Sequence, residues 1–322
     1  MPSSRHDAPL RRLIALAVLA TAVGVWSSGC PDPGGGEDGG QDSGQDAGGD
    51  GGGGGDAGPD GGGGGSDGGN DGGTDAGVPL DPSITAADQT LSLSTDLTVA
   101  SVTALATGWV VVNAPLSDGG TASGFTGVAA GATAGVHVEV ADPLRDGTTV
   151  TAGLYRDVGV VGTYEPGTDP LVVNDGGTPV TAQFQVTVPA GTPAVRYTFS
   201  PTFAGGFVWR ASAFPARFST TLSGGPDNPV LTLFRGWRYE VQNPGALNHP
   251  WQVIDTGGGS DAVLLSQGAA SGALEADSTV DWVDGNGPSR FTVSPSFQAV
   301  VDMYRCGVHF SSMRSAINFQ TR

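Results

Sequence analysis

The sequence predicts an all-β protein: two β-sandwich domains following a disordered Gly/Asp-rich tether. Three observations lead there. Helical periodicity is nearly absent over residues 79–322. Short apolar or alternating runs recur in that span, punctuated by Gly, Pro, Asp and Thr. The span is 244 residues long, enough for two domains of ordinary size.

The chain opens like a secretory leader (1–30). Arg5, Arg11 and Arg12 form a basic start, and Leu13–Trp26 is a 14-residue, mostly apolar run. A spanning helix needs about 20 residues, so this run is too short to cross a membrane. It ends in Ser27-Ser28-Gly29-Cys30, which resembles the lipobox of bacterial lipoproteins, with Ser27 where that family usually has Leu. The resemblance implies a lipid on Cys30 and a place in the bacterial cell envelope; ordinary cleavage and release is the competing fate. A diacylated Cys buries tens of methylenes at about 0.8 kcal/mol each, a firm anchor.

Residues 31–78 hold 24 Gly, 10 Asp, one Glu and no basic residue. Such a segment cannot bury a core and extends by self-repulsion. As a neutral coil it spans on the order of 40 Å, and pulled straight about 160 Å. It reads as a tether lifting the folded part off a membrane. Its spaced Asp residues lack the apolar position of a calcium β-roll and the closing Glu of an EF-hand loop.

The formal charge is −18, and residues 79–322 alone carry 20 acids against 11 Arg. An acidic body argues against nucleic acid as a partner. No Lys occurs anywhere in the chain.

The first sandwich is expected over 79–190. Its candidate strands include Leu97–Leu105, Gly108–Asn113, Val136–Val140, Thr149–Tyr155 and Thr181–Val188. The stretches GWVVVN, AGVHVEV and AGLYRDVGVVGTYEPGTD are similar to a domain of unknown function found in haloarchaeal and some bacterial surface proteins. That resemblance implies an extracellular sandwich and no known chemistry. His137 alternates with Val136 and Val138, so a structural or solvated role is the ordinary expectation. Asp157 and Glu165 flank a Gly-rich turn, where turn formation explains them as well as cation binding does.

The second sandwich is expected over 192–322. Val230–Phe234 leads to a turn at Arg235-Gly236, after which Trp237, Tyr239 and Val241 alternate with Arg238, Glu240 and Gln242 as a half-buried strand. Further strands fit Trp251–Asp255, Ala262–Ser266, Ser278–Val283, Arg290–Ser294, Ala299–Cys306 and Ala316–Thr321.

Chemistry concentrates in this second unit. The chain has two cysteines and four histidines. Cys306, His309 and Met313 share one short loop, and His249 lies 57 residues before Cys306, on the loop after Asn243. A thiolate, two imidazoles and a thioether are the donors of a blue-copper electron-transfer site. If Cys30 is acylated, Cys306 has no disulfide partner, and a lone thiol in an oxidising compartment must be buried or occupied.

The signature Y-x-C-x₂-H-x₃-M-x₃-I, filled by Tyr304, Cys306, His309, Met313 and Ile317, resembles that of the cupredoxins, Greek-key blue-copper sandwiches such as plastocyanin and halocyanin. Upstream, R-G-W-R-Y-E-V-Q-N-P-G and N-H-P-W-Q-V-I-D are closest to a cupredoxin variant whose first histidine sits in an H-P-aromatic motif. The resemblance covers about 130 residues and implies His249, Cys306 and His309 as equatorial ligands of one copper ion, with Met313 axial. It also implies one-electron transfer to an envelope redox partner rather than catalysis. Pro250 departs from the family, which often has an Asn there to brace the ligand loops, and Ser315 stands where Gly is common. Phe310, Pro250 and Trp251 are expected as an apolar rim for that partner, with core packing the competing role for Trp251.

Rival metal chemistries need more donors. After the leader only His137, His249 and His309 remain, too few for the trinuclear cluster of a multicopper oxidase or the second metal of a copper nitrite reductase. A dinuclear copper centre needs two cysteines on one loop. Zinc prefers a closed set without Met. A Cys306–His309 nucleophilic dyad lacks an evident orienting residue. Two alternatives to the carrier stand: copper storage or delivery, and a metal-free module for surface interaction or adhesion.

Overall fold

The computed structural model describes residues 81–258, 260–268, 271–284 and 288–321. The leader with Cys30 and the tether over 31–78 lie outside the described residues. No described helix is long and apolar enough to cross a membrane.

The regular structure of the described chain is nearly all strand. The first eight strands are β1 (Ser83–Thr85), β2 (Gln89–Thr90), β3 (Asp96–Ala104), β4 (Gly108–Pro115), β5 (Thr121–Val128), β6 (Gly131–Glu139), β7 (Thr148–Arg156) and β8 (Thr181–Thr187). They form a three-stranded sheet, β1-β3-β6, and a five-stranded sheet, β2-β8-β7-β4-β5. Inward residues alternate along each strand: Val110, Val112 and Ala114 on β4 lie beside Val150, Ala152 and Leu154 of the neighbouring β7 in one aliphatic core. Phe184 is the one aromatic residue buried in it.

The second group begins with a hairpin, β9 (Val195–Phe203) and β10 (Phe207–Phe214), followed by a 3-10 turn at Ala216–Thr221. Then come β11 (Leu222–Ser223), β12 (Val230–Phe234), β13 (Arg238–Gln242), β14 (Trp251–Asp255) and β15 (Ala262–Ser266). The chain closes with β16 (Ser289–Thr292), helix α1 (Pro295–Val300), β17 (Met303–Cys306) and β18 (Arg314–Gln320). A four-stranded sheet, β10-β9-β13-β16, faces a six-stranded one, β11-β12-β18-β17-β14-β15. Parallel pairs β9/β13 and β12/β18 stand among antiparallel neighbours. Between the sheets Tyr197, Phe199, Trp209, Tyr239, Trp251, Phe291, Phe297 and Tyr304 build an aromatic core.

The expected strands over 230–234, 251–255 and 262–266 form with those bounds. Two others are corrected. Residues 278–283 turn rather than extend: the Asp277 carboxylate accepts from the Thr279 N–H and hydroxyl at 2.8 and 2.7 Å, and Asp281 is left-handed at φ 48°. Only Val283 bridges to Arg290. The expected run Ala299–Cys306 is split, because Ser294 caps a short helix by accepting from the Phe297 N–H at 3.2 Å, with Pro295 opening the first turn. Strand begins only at Met303.

Strand β13 is not half-buried. Glu240, on the face opposite Tyr239 and Val241, is 1% exposed. It lies opposite Arg196 of β9 and Arg290 of β16, and both guanidiniums donate to its carboxylate. Burial opposes its ionisation, but those hydrogen bonds outweigh it and hold the carboxyl below the usual value.

Candidate metal centre

The antiparallel register brings the chemistry to one end of the six-stranded sheet. Trp251, the first residue of β14, pairs with Cys306, the last of β17. His249 precedes β14 and His309 follows β17, so both project past the same sheet end. On the other side of Cys306 the β17/β18 pairing ends at Arg305–Arg314. The loop it encloses runs from Cys306 to Met313 and closes with the Cys306 N–H donating to the Met313 carbonyl at 2.8 Å.

Each loop is held by its own backbone. In the His309 loop the Ser312 and Met313 N–H groups donate to the His309 carbonyl at 3.2 and 2.9 Å. In the His249 loop the His249 N–H reaches the Gly245 carbonyl at 2.8 Å. Buried Asn243 accepts from the Gly245 N–H at 3.1 Å and donates to the His249 carbonyl at 2.7 Å and to Gln267 Oε1 at 2.9 Å. Gln267 Oε1 also accepts from the Trp251 N–H at 3.1 Å, tying the loop to β14.

Pro250 offers no N–H, yet the two loops are joined through it: the Gly307 N–H donates to the Pro250 carbonyl at 2.8 Å. Gly307 eases the approach, since a Cβ would sit 2.9 Å from Gln252 Nε2 and 3.1 Å from Pro250 Cγ and would push the Gln252 amide aside. The brace expected from a side chain is supplied by the main chain.

The side-chain donors converge. Cys306 Sγ lies 3.8 Å from Nδ1 of His249 and 3.8 Å from Nδ1 of His309, and the two Nδ1 atoms are 3.1 Å apart. A point equidistant from those corners lies about 2.1 Å from each (product of the sides over four times the area), within the ~2.0–2.3 Å of metal bonds to imidazole and thiolate. Three protein atoms thus frame a hole of metal-bond radius. Among the described residues this is the group of His, Cys and acidic side chains that could hold an ion.

Cys306 is a buried free thiol, and its sulfur accepts from the Val308 and His309 N–H groups at 3.4 Å each. Burial, and then the neighbouring His309, lower the His249 pKa, so this imidazole favours the neutral form a ligand requires. Met313 is fully buried on the same loop.

Aromatic rings cover the pair. The imidazoles lie at 24° with centroids 4.7 Å apart. Phe207, at the start of β10, approaches His309 at 4.4 Å and His249 at 5.0 Å, and Phe203 from the same hairpin packs against Phe207. The exposed apolar side chains of these loops are Phe203, Phe207, Leu247, Val308 and Phe310. Phe310 stands where the rim was expected, 56% exposed; Trp251 does not, being fully buried between Phe291 and Tyr304. Its strand position points it into the core. Phe207 escaped the motif reading, although Val195, Tyr197 and Phe199 alternate ahead of a Gly205-Gly206 turn and mark the hairpin that carries it.

The other candidates stay apart. His137 is exposed, 3.6 Å from Asp96, whose carboxyl is pushed up by burial and partly restored by His137. In the first sandwich Asp157 accepts from the Gly162 N–H at 2.8 Å, and Glu165 from the Val160 N–H at 2.6 Å. Buried Asp169 accepts from the N–H groups of Glu165, Val158 and Gly159, of which the first two dominate in lowering its pKa. Gly159 makes room, since a Cβ there would lie 1.8 Å from Glu165 Oε2. These carboxylates shape a turn.

Residues 82–187 match the family model for a domain of unknown function (DUF7282), the stretch that carries GWVVVN and its companion motifs. No curated protein matches the sequence. Among solved structures there is a likeness to a mutant of the laccase from B.aclada, at 9% identity and a TM-score of 0.19, over 72% of this chain and 53% of that one. The chain spans about half the length of that laccase, and a likeness so faint carries neither fold nor function across.

Proposed function

We propose that the second sandwich is a cupredoxin-like domain that binds one copper ion through His249, Cys306 and His309, with Met313 as axial donor, and carries one electron at a time. The observation behind this reading is the Nδ1–Nδ1–Sγ triangle with its metal-bond radius. Soft sulfur suits Cu(I) and imidazole suits Cu(II), so bound copper would supply a one-electron couple with little change of shape.

The residues contribute rigidity and access. Two loops joined at Gly307 and Pro250 keep the donors in place, and the Val308 and His309 N–H groups hold the sulfur by donating to it. Phe207 limits water at the imidazoles, and the rim of Phe203, Leu247, Val308 and Phe310 offers an apolar surface to an envelope redox partner. On this reading the protein is a carrier rather than a catalyst, held at the bacterial envelope by a lipid on Cys30 and raised from the membrane by the tether.

Titration of the purified chain with Cu(II) tests it. Wild type is expected to turn intensely blue from thiolate-to-copper charge transfer, and Cys306→Ser to stay colourless. A thousandfold excess over Kd should raise stability by about 4 kcal/mol. A colourless, EPR-silent wild type with an unmoved melting temperature would favour a metal-free surface module. Reversible one-electron cycling supports a carrier, and rapid loss of Cu(I) to a chelator supports storage or delivery.

A further inference from the structure

We infer that Asp261 is a positioning residue that clamps the mouth of the Cys306–Met313 loop from the far face of its sheet. The inference rests on the copper reading for its purpose, though not for its geometry.

Arg305 immediately precedes Cys306, and Arg314 immediately follows Met313. The β17/β18 register sets these two arginines directly opposite each other, on the last rung before the loop. Like charges on one rung repel. Left alone they would push apart the strand ends that set the spacing of Cys306 and Met313.

Asp261, at the entry to β15, removes the conflict. Its Oδ2 accepts from Arg305 Nη1 at 2.6 Å and from Arg314 Nη1 at 3.0 Å, and its Oδ1 accepts from Arg314 Nη2 at 3.3 Å. Burial opposes the charge, but hydrogen bonds from Arg314 and Arg305 prevail and hold the carboxyl below its usual range. The three side chains are 22%, 14% and 28% exposed, so water screens the group less than a surface pair.

Each arginine has a second tether. Arg305 Nε donates to Gln252 Oε1 at 3.0 Å, and Arg314 Nη2 lies 3.2 Å from Met303 Sδ. Gln252 sits beside Gly307, where the two site loops meet. Arg305 and Cys306 point to opposite faces of β17. Asp261 therefore touches none of the donors and acts through the rung that closes their loop.

The test uses the full chain in two states. In the copper-free protein, labelling of the buried Cys306 by a thiol reagent reports loop opening. Asp261→Asn should speed it about tenfold, and adding Arg314→Gln should return it near the wild-type rate, because the repulsion leaves with the charge. In the copper-loaded protein, Asp261→Asn should shift the thiolate charge-transfer band and raise the copper Kd about tenfold, with the same rescue. Unchanged labelling in Asp261→Asn overturns the proposal, as does a double variant no slower than the single one. If Asp261→Asn does not fold, the double variant is compared with Arg314→Gln alone: equal labelling supports the clamp, and a large further loss sinks it. A wild type that binds no copper, with labelling altered and rescued as stated, would refute the copper reading and leave the clamp standing.

Discussion

The two sandwiches solve the same packing problem with different side chains. The first fills its interior with Val, Leu, Ala and Ile around a single Phe, whereas the second stacks rings: Tyr197 on Tyr239 at 7°, Trp251 against Phe291 at 22°, Phe291 on Phe297 at 19°. Branched aliphatics suffice to hold two sheets together. Large flat rings have fewer rotamers for the area they bury and hold their neighbours in place. In the second sandwich Trp251 is also the β14 residue paired with Cys306, so its packing sets the height of the site.

The loops differ in the same direction. In the first sandwich the carboxylates of the 157–169 turn accept from its own N–H groups, with Asp157 Oδ1 left over. In the second, main-chain carbonyls and Asn243 satisfy the loop backbone, and Sγ and two Nδ1 atoms remain facing one another. A candidate ligand site arises where the backbone supports itself and the side-chain donors converge, Sγ included although it also accepts from the Val308 and His309 N–H groups.

The largest way to break this contrast is Trp251→Ala. Loss of a fully buried indole should cost ~3–5 kcal/mol and lower both the urea midpoint and the copper affinity. Leu154→Ala in the first core should cost ~2–5 kcal/mol and leave copper affinity unchanged. Urea unfolding alongside copper titration of each variant checks both. Equal effects on copper would deny the aromatic core any special link to the site.

Much of this was legible in the sequence because two periodicities were clean. Strands 230–234, 251–255 and 262–266 are apolar or alternating and bounded by Gly or Pro, which fixes their ends. The donors were legible because Cys and His are so scarce that few other groupings exist. What stayed hidden depends on distant partners. That Phe207 lies over His309 follows from where the β9/β10 hairpin docks, and no local pattern states it. Glu240 reads as an outward residue of an alternating strand; its burial comes from Arg196 and Arg290, 44 residues before it and 50 after. The short helix at Pro295 carried its signal in Ser294-Pro295, which a reading tuned to period two passes over.

Glu240 gives the second, smaller test, since the first core contains no such buried triad among the described residues. Glu240→Ala strands two guanidiniums. Both retain some access to water, so the cost should be about 2 kcal/mol rather than the ~3–5 of a fully buried pair. Its carboxyl titrates below the usual value in the folded state, so its contribution is present above the unfolded pKa of about 4.3 and is lost as pH falls through the folded value. The gap in urea midpoint between wild type and variant should be full at neutral pH and shrink under acid. A gap that stays constant from pH 7 to about pH 3 would mean the carboxylate charge contributes nothing.

The smallest expected effect sharpens the contrast most. The acids of the 157–169 turn look like a cation site on paper, and calcium would stabilise the fold by RT ln(1 + [L]/Kd) if it bound there. The turn's N–H groups occupy Asp157 Oδ2, Glu165 Oε2 and both oxygens of Asp169, while Asp157 Oδ1 is buried without a partner. Calcium takes about 6–8 oxygens, far more than that one, so millimolar calcium should leave the melting temperature unmoved in wild type and in Asp157→Asn alike. A rise in wild type that disappears in the variant would make this turn a second ion site, and the division between a turn-shaping loop and one whose donors converge would fail at its first half.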